Sequence, residues 1–170
     1  MSVATLPRRP RSIGPKRTIA IVASLYNSNY VNGLVDACNE ELIRIYPSAA
    51  VPLYRVPGAF EIPVCVKYVV DHGAVDVVIA LGVVIRGETA HGDLVGTSVA
   101  QSLQDIAVES KIPIIHEVLL CDTEAQADVR CLNPEYNRGI EAARAAVNMA
   151  ELFYKLHSMH PEGKPSVVNG

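Results

Sequence analysis

The stretch from Val75 to Leu81 is apolar apart from Asp76 and runs straight into Gly82, a short turn and a histidine, Val83-Val84-Ile85-Arg86-Gly87-Glu88-Thr89-Ala90-His91. It constrains the fold more than any other part of the chain. A β-branched run without polar alternation is buried on both faces, as a central strand of a parallel sheet is. A helix-like pattern follows at once, from Leu94 to Val108. In an open parallel sheet this order sets Arg86 to His91 at the carboxyl end of a strand, where such folds bind their ligands. The turn offers a glycine for close backbone approach, a threonine hydroxyl, amide donors at a helix start and an imidazole. Those parts can hold an anion and move a proton.

The remaining segments alternate in the same way. Thr18 to Ala23 reads as a second buried strand, ending in the polar turn Ser24 to Asn29. Val31, Leu34, Val35, Cys38, Leu42 and Ile45 recur at helical spacing up to Tyr46-Pro47. Val51 to Val56 is a further strand, and Pro52 inside it implies an edge position or a late start. A helix from Phe60 to Val70 tolerates Pro63 only in its first turn, and His72-Gly73 ends it. Ile112 to Leu120 is the last strand, Asp122-Thr123 caps a short helix through Arg130, and Asn133 to Gly139 is a loop. Ile140 to Leu156 is an Ala-rich helix with one apolar stripe. The expected architecture is one α/β domain over residues 17–157. It has a parallel sheet of about four strands with helices on both faces. Residues 1–16 are expected to form a flexible arm and 158–170 a flexible tail.

The chain has 170 residues, which suits one domain with a sizeable core. The net charge of −3 gives no support to a nucleic-acid or membrane-surface role. The exception is the basic, proline-rich stretch up to Arg17, read as a mobile arm, with a cargo-binding or targeting arm as the other reading. Cys38, Cys65, Cys121 and Cys131 show no CxxC pairing and no spacing to histidine that suits a metal. They read as buried thiols in a reducing cytoplasm. No run reaches the ~18 apolar residues of a membrane span. Four strands leave edges that another copy of the chain would cover, so an oligomer is expected.

Right-handed crossovers bring all strand ends to one rim. Tyr26 and Asn27 follow one strand, Glu61 opens the helix after another, and Arg130 lies one helix beyond the last. Taken singly, these read as local packing, a charge at a helix start and a surface charge. Taken jointly, they comprise an aromatic plate, a carboxylate for hydroxyls, an anion turn, a histidine and a cation. That set suits a planar, polyhydroxylated substrate and a phosphate-bearing partner.

Val56-Pro57-Gly58-Ala59-Phe60-Glu61-Ile62-Pro63, followed by Leu81 to His91, resembles the lumazine synthase family over about residues 17 to 156. The resemblance implies a flavodoxin-like three-layer α/β subunit. It also implies pentamers with active sites between neighbouring subunits, some of which close into icosahedral shells. The implied reaction condenses 5-amino-6-(D-ribitylamino)uracil with 3,4-dihydroxy-2-butanone 4-phosphate, with no metal or redox cofactor. By position, Tyr26 and Asn27 would face the pyrimidine, with Tyr26 as its stacking plate. Ala59, Phe60 and Glu61 would hold the pyrimidine and ribityl chain, and Val83, Val84 and Ile85 would offer backbone groups to the pyrimidine edge. Gly87, Glu88 and Thr89 match the phosphate turn, with Arg130 as its clamp, and His91 matches the proton-transfer residue. His116 would come from the adjacent subunit. A riboflavin synthase partner is implied if a shell forms.

The chain departs from the family pattern in places. His116 stands where an aromatic hydrocarbon ring is common. Gly92 stands where a bulky aromatic follows the histidine, which is expected to thin that wall of the site. Glu88 adds a carboxylate beside the phosphate turn and is expected to point away. The loop Asn133 to Gly139 has the length of shell formers but bulkier residues, so a pentamer is the minimum unit and a shell is left open. A rival reading is a non-catalytic flavin- or lumazine-binding or shell-forming paralogue. Nucleotide-binding readings lack a P-loop lysine motif and a GxGxxG after the first strand. A response regulator would need an acidic cluster at the first strand end.

Overall fold

The alternation of β-branched runs and amphipathic segments folds into four parallel strands, β1 Ile19–Ser24, β2 Leu53–Val56, β3 Val77–Ile85 and β4 Ile114–Cys121, ordered β2-β1-β3-β4. The structure is a computed structural model and describes residues 8–10 and 15–160. Most of the expected arm and tail therefore lies outside the described residues. The helices are α1 Ser28–Ile45, α2 Ile62–His72, α3 His91–Ser110, α4 Glu124–Cys131 and α5 Arg138–Met159, and a 3₁₀ turn at Ala59–Glu61 precedes α2. Strand order and helix placement make a three-layer α/β sandwich of the flavodoxin-like kind.

Strand alternation sorts the core into two halves. On one face Ile19, Ile21, Val77, Ile79 and Leu81 pack against α1, α4 and α5. On the other, Ala20, Val22, Val78, Ala80 and Val118 pack against α2 and α3. Central β1 is buried at every position, as a strand covered on both faces must be. β2 is an edge strand beginning only at Leu53, so Pro52 marks its start and costs no ladder bond inside it.

Three expectations are corrected by the structure. The strand expected to close at Leu81 continues to Ile85, so Gly82 lies within β3 and does not begin a turn. A β-carbon at Gly82 would stand 3.1 Å from Ile62 Cδ1 and 3.2 Å from Val118 Cγ1. Its role is to admit the start of α2 close to the sheet, a packing reason for a strand glycine. The helix expected from Phe60 starts at Ile62, because Ala59–Glu61 makes a tighter turn first, with Pro63 in the opening turn of α2. The helix expected from Leu94 starts at His91, so the histidine is part of α3 itself.

Candidate active site

The strand order reverses between β1 and β3, and crevices at such switch points are where open α/β sheets bind ligands. Backbone bonds fix the two turns on the β1 side: Leu25 N donates to Val56 O at 2.8 Å and Tyr26 N to Pro57 O at 3.0 Å. Asn27 adopts a left-handed φ of 56°, which asparagine tolerates better than most residues. Its side chain does not cap α1. It reaches across the switch point, Nδ2 donating to Val83 O at 2.8 Å. That bond joins the end of β1 to the end of β3 and leaves Tyr26 73% exposed at the rim.

The segment after β2 stands beside it. Ala59 is buried, Phe60 is exposed and Glu61 is half-buried. The Glu61 carboxylate folds back over Gly58, where a β-carbon would lie 2.9 Å from Oε2. The glycine thus makes room for the carboxylate at the strand end.

On the β3 side, Val84 and Ile85 are half-buried, and Arg86 N donates to Cys121 O at 2.8 Å, extending the β3–β4 ladder by one bond. Gly87, Glu88 and Thr89 follow as an exposed turn. Glu88 has no side-chain partner among the described residues. His91 is exposed and is the first residue of α3, whose N-cap residue Ala90 offers no side-chain acceptor. The one nearby contact, His91 N to Thr89 Oγ1, is long at 3.5 Å. The first amides of α3 are therefore open to an anion. Gly92 does not leave an open wall: it is buried, with Val84, Arg86 and Leu120 within 3.5–3.8 Å of where its β-carbon would be.

Arg130 sits in the last turn of α4, half-buried, and makes no hydrogen bond or ion pair among the described residues. Its charge is felt by Glu117 and by Cys121, the last residue of β4, to which Arg86 is bonded. Among the described residues the guanidinium is not committed to another group.

His116 is not gathered with the others. It pairs with Ala80 in the middle of β4, five residues before the strand end at Cys121, or about 17 Å along the chain. It is exposed on the outer edge strand, and desolvation against the sheet lowers its pKa. Its neighbour Glu117 faces the opposite layer, where burial pushes the carboxyl up to about 7 against the pull of Arg138. Arg138 holds that carboxylate through two bonds of 3.1 Å.

Sequence reasoning missed one feature of this rim. Arg86 donates from Nε and Nη2 to Asp93 Oδ1 at 2.8 and 2.6 Å and also bonds Asp122 through Nη1. Nothing in the spacing of three charges over 37 positions signals such a cluster. The seven-residue step from Arg86 to Asp93, across a turn into a helix, was the only available hint.

A parallel α/β sandwich with one rim equipped for an anion, hydroxyls and a proton is the frame of a small-molecule enzyme. The sequence profile of 6,7-dimethyl-8-ribityllumazine synthase matches residues 16–154. Proteins named 6,7-dimethyl-8-ribityllumazine synthase from Paraburkholderia phymatum and Burkholderia multivorans are each 40% identical over 152 residues, covering 89% of this chain and 86% of theirs. One from Burkholderia vietnamiensis is 40% identical over 89% of this chain and 88% of its own. The chain belongs to the 6,7-dimethyl-8-ribityllumazine synthase family, transferases of riboflavin biosynthesis. No helix among the described residues is long and apolar enough to cross a membrane.

Proposed function

We propose that this chain condenses 5-amino-6-(D-ribitylamino)uracil with 3,4-dihydroxy-2-butanone 4-phosphate to 6,7-dimethyl-8-ribityllumazine, releasing inorganic phosphate and water. The observation that carries this reading is the open amide end of α3, bearing His91, at the rim shared with Glu61; Arg130, in the last turn of α4 and uncommitted among the described residues, supports it. The pyrimidine amine attacks the ketone, and water leaves as the imine forms. Loss of the C3 proton next to the imine expels phosphate from C4 and leaves an enol, which tautomerises to a ketone at C3. The ribitylamino nitrogen then closes the ring on that carbonyl with loss of another water.

His91 serves as the proton carrier, since imidazole both accepts and donates protons at neutral pH. The departing phosphate is received by the amides of Gly87, Glu88 and Thr89 and by the Arg130 guanidinium. Tyr26 stacks on the pyrimidine with Asn27 behind it, and backbone groups of Val83, Val84 and Ile85 meet its edge. Ala59 and Phe60 line the ribityl path, and Glu61 accepts from its hydroxyls. No step in this scheme calls on a metal or redox cofactor. Holding two substrates together supplies much of the remaining rate.

His116 enters the site of an adjacent copy, so the working unit is a ring, a pentamer at minimum. Two unlike apolar surfaces support a head-to-tail ring. One is the exposed stripe Phe60, Val64 and Tyr68, which runs from the 3₁₀ turn onto α2. The other is a groove of about 790 Å³ between α3 and α5, with Val108, Ile112, Ile114, Met149, Phe153 and Leu156 in its lining. The free cysteines agree with work in the cytoplasm.

The test is to incubate the purified protein with both substrates and follow the lumazine chromophore and phosphate release. Wild type is expected to turn over. His91→Ala is expected to lower kcat by about 100-fold without abolishing it, the low end of what one general acid–base group contributes. Binding of the product without turnover would instead mark a non-catalytic paralogue, and a kinetically silent His91→Ala would remove the proton role. Light scattering on the same preparation should give at least five copies; a monomeric mass would rule out the shared site.

A further inference from the structure

The turn Gly87–Ala90 has little of its own to hold it. Among the described residues its side chains make only the long Thr89–His91 contact, and all four residues are exposed. What brackets the turn is the charge cluster at Arg86. Asp93, in the first turn of α3, takes two bonds from that guanidinium on a single oxygen. Asp122, just past β4, takes a third. Asp122 is itself fixed to the start of α4: its N donates to Gln126 Oε1 at 2.8 Å, and Gln126 N donates to the capping Thr123 Oγ1 at 3.2 Å. One arginine therefore joins the end of β3, the start of α3 and the base of α4, the helix that carries Arg130. The Asp93 oxygen given to Arg86 is also kept off the α3 amides, which have no side-chain cap.

We propose that Asp93 is a positioning residue that, through Arg86, sets the anion-binding turn and the α3 amides in register with Arg130. This rests on the reading that the turn receives the substrate's phosphate. The side chains of Arg86, Asp93 and Asp122 are 44%, 47% and 55% exposed, so the cluster is too wet to matter much for global stability. Its role is geometric. Two carboxylates share one guanidinium, and by charge alone the cluster repels a phosphate. Charge and geometry hence predict opposite outcomes for the same substitution.

The experiment titrates inorganic phosphate into full-length Asp93→Asn, Asp93→Glu and wild type, and measures steady-state kinetics with both substrates. Removing a negative charge would tighten phosphate binding if charge were all that mattered. Positioning predicts the reverse: Asp93→Asn should weaken phosphate and raise the KM of the butanone phosphate by about ten-fold, as small misplacements in a site do. The KM of the pyrimidine should stay within about two-fold, since that end of the site is held by other bonds. Asp93→Glu should recover part of the loss. Unchanged or tighter phosphate binding by Asp93→Asn would overturn the positioning role even with wild type fully active. An inactive wild type that still binds phosphate would overturn the catalytic reading alone, leaving the phosphate arm to decide the role of Asp93. A wild type that binds no phosphate would overturn both.

Discussion

Replacing Arg130 with alanine is expected to raise the KM of the butanone phosphate by about 10- to 100-fold, the loss of one charge-assisted interaction to an anion. The KM of the pyrimidine substrate should change by less than about two-fold, because distant, unshared contacts act independently. The fold should not suffer. Arg130 makes no hydrogen bond or ion pair among the described residues, so truncation leaves no partner stranded. Its charge does oppose the burial that raises the Glu117 pKa, and that carboxyl should shift up a little further in the variant. Arg130→Lys keeps the charge but loses the planar fork that grips two phosphate oxygens, so it should fall between wild type and alanine. Steady-state kinetics with each substrate varied in turn checks the split. Equal losses for both substrates would mean that Arg130 supports the whole rim and is not a phosphate clamp.

Much of the fold was legible because hydrophobic periodicity is local. The β-branched runs around Ile21 and Ile79 could only be buried strands, and the order of elements left little choice of sheet. Single residues carried position as well. Pro52 marked a late start at an edge, Pro63 fell in a first turn, and Thr123 caps α4 by accepting from Gln126 N. The site was legible at the level of which segments meet, since parallel strands with right-handed crossovers deliver their ends to one rim.

What escaped was set by contacts between residues far apart in the chain. Gly82 carries no local sign of whether it turns the chain or admits a neighbour; Ile62 and Val118 decide that. Asn27 read only as part of a polar turn, but its amide is taken by Val83, 56 positions on. The partner of Arg86 in the next element is equally invisible, because ion pairs between exposed groups follow no periodic rule. His116 is a different case. Its place in mid-strand is plain from its register with Ala80 on β3, yet one subunit alone gives it nothing to act on.

Glu41 also defeated the reading of α1, and its replacement should have the largest effect on stability. It falls on the apolar stripe, three residues after Cys38 and four before Ile45, and is 2% exposed. A carboxylate there is tolerable because it is paired, first with Arg144 of α5, itself buried, whose Nε donates to Glu41 Oε1 at 2.8 Å. Arg9 adds bonds of 2.9 and 3.3 Å, and Arg44 one of 3.3 Å. Burial works to raise the Glu41 pKa, but the bonds from Arg9 and Arg144 outweigh it and hold the carboxyl below its usual range. Glu41→Ala removes the carboxylate while Arg144 stays buried, and it should cost about 3–5 kcal/mol, as breaking one side of a buried pair does. Arg44→Ala, at an exposed partner, should cost under about 1 kcal/mol. The charged pair itself need not be a net gain over apolar packing. The double replacement Glu41→Leu with Arg144→Leu should therefore recover most of the loss. Urea unfolding at fixed protein concentration measures all three, since any oligomer makes apparent stability depend on concentration. If Glu41→Ala proved as mild as Arg44→Ala, the contact between α1 and α5 would rest on its apolar residues alone.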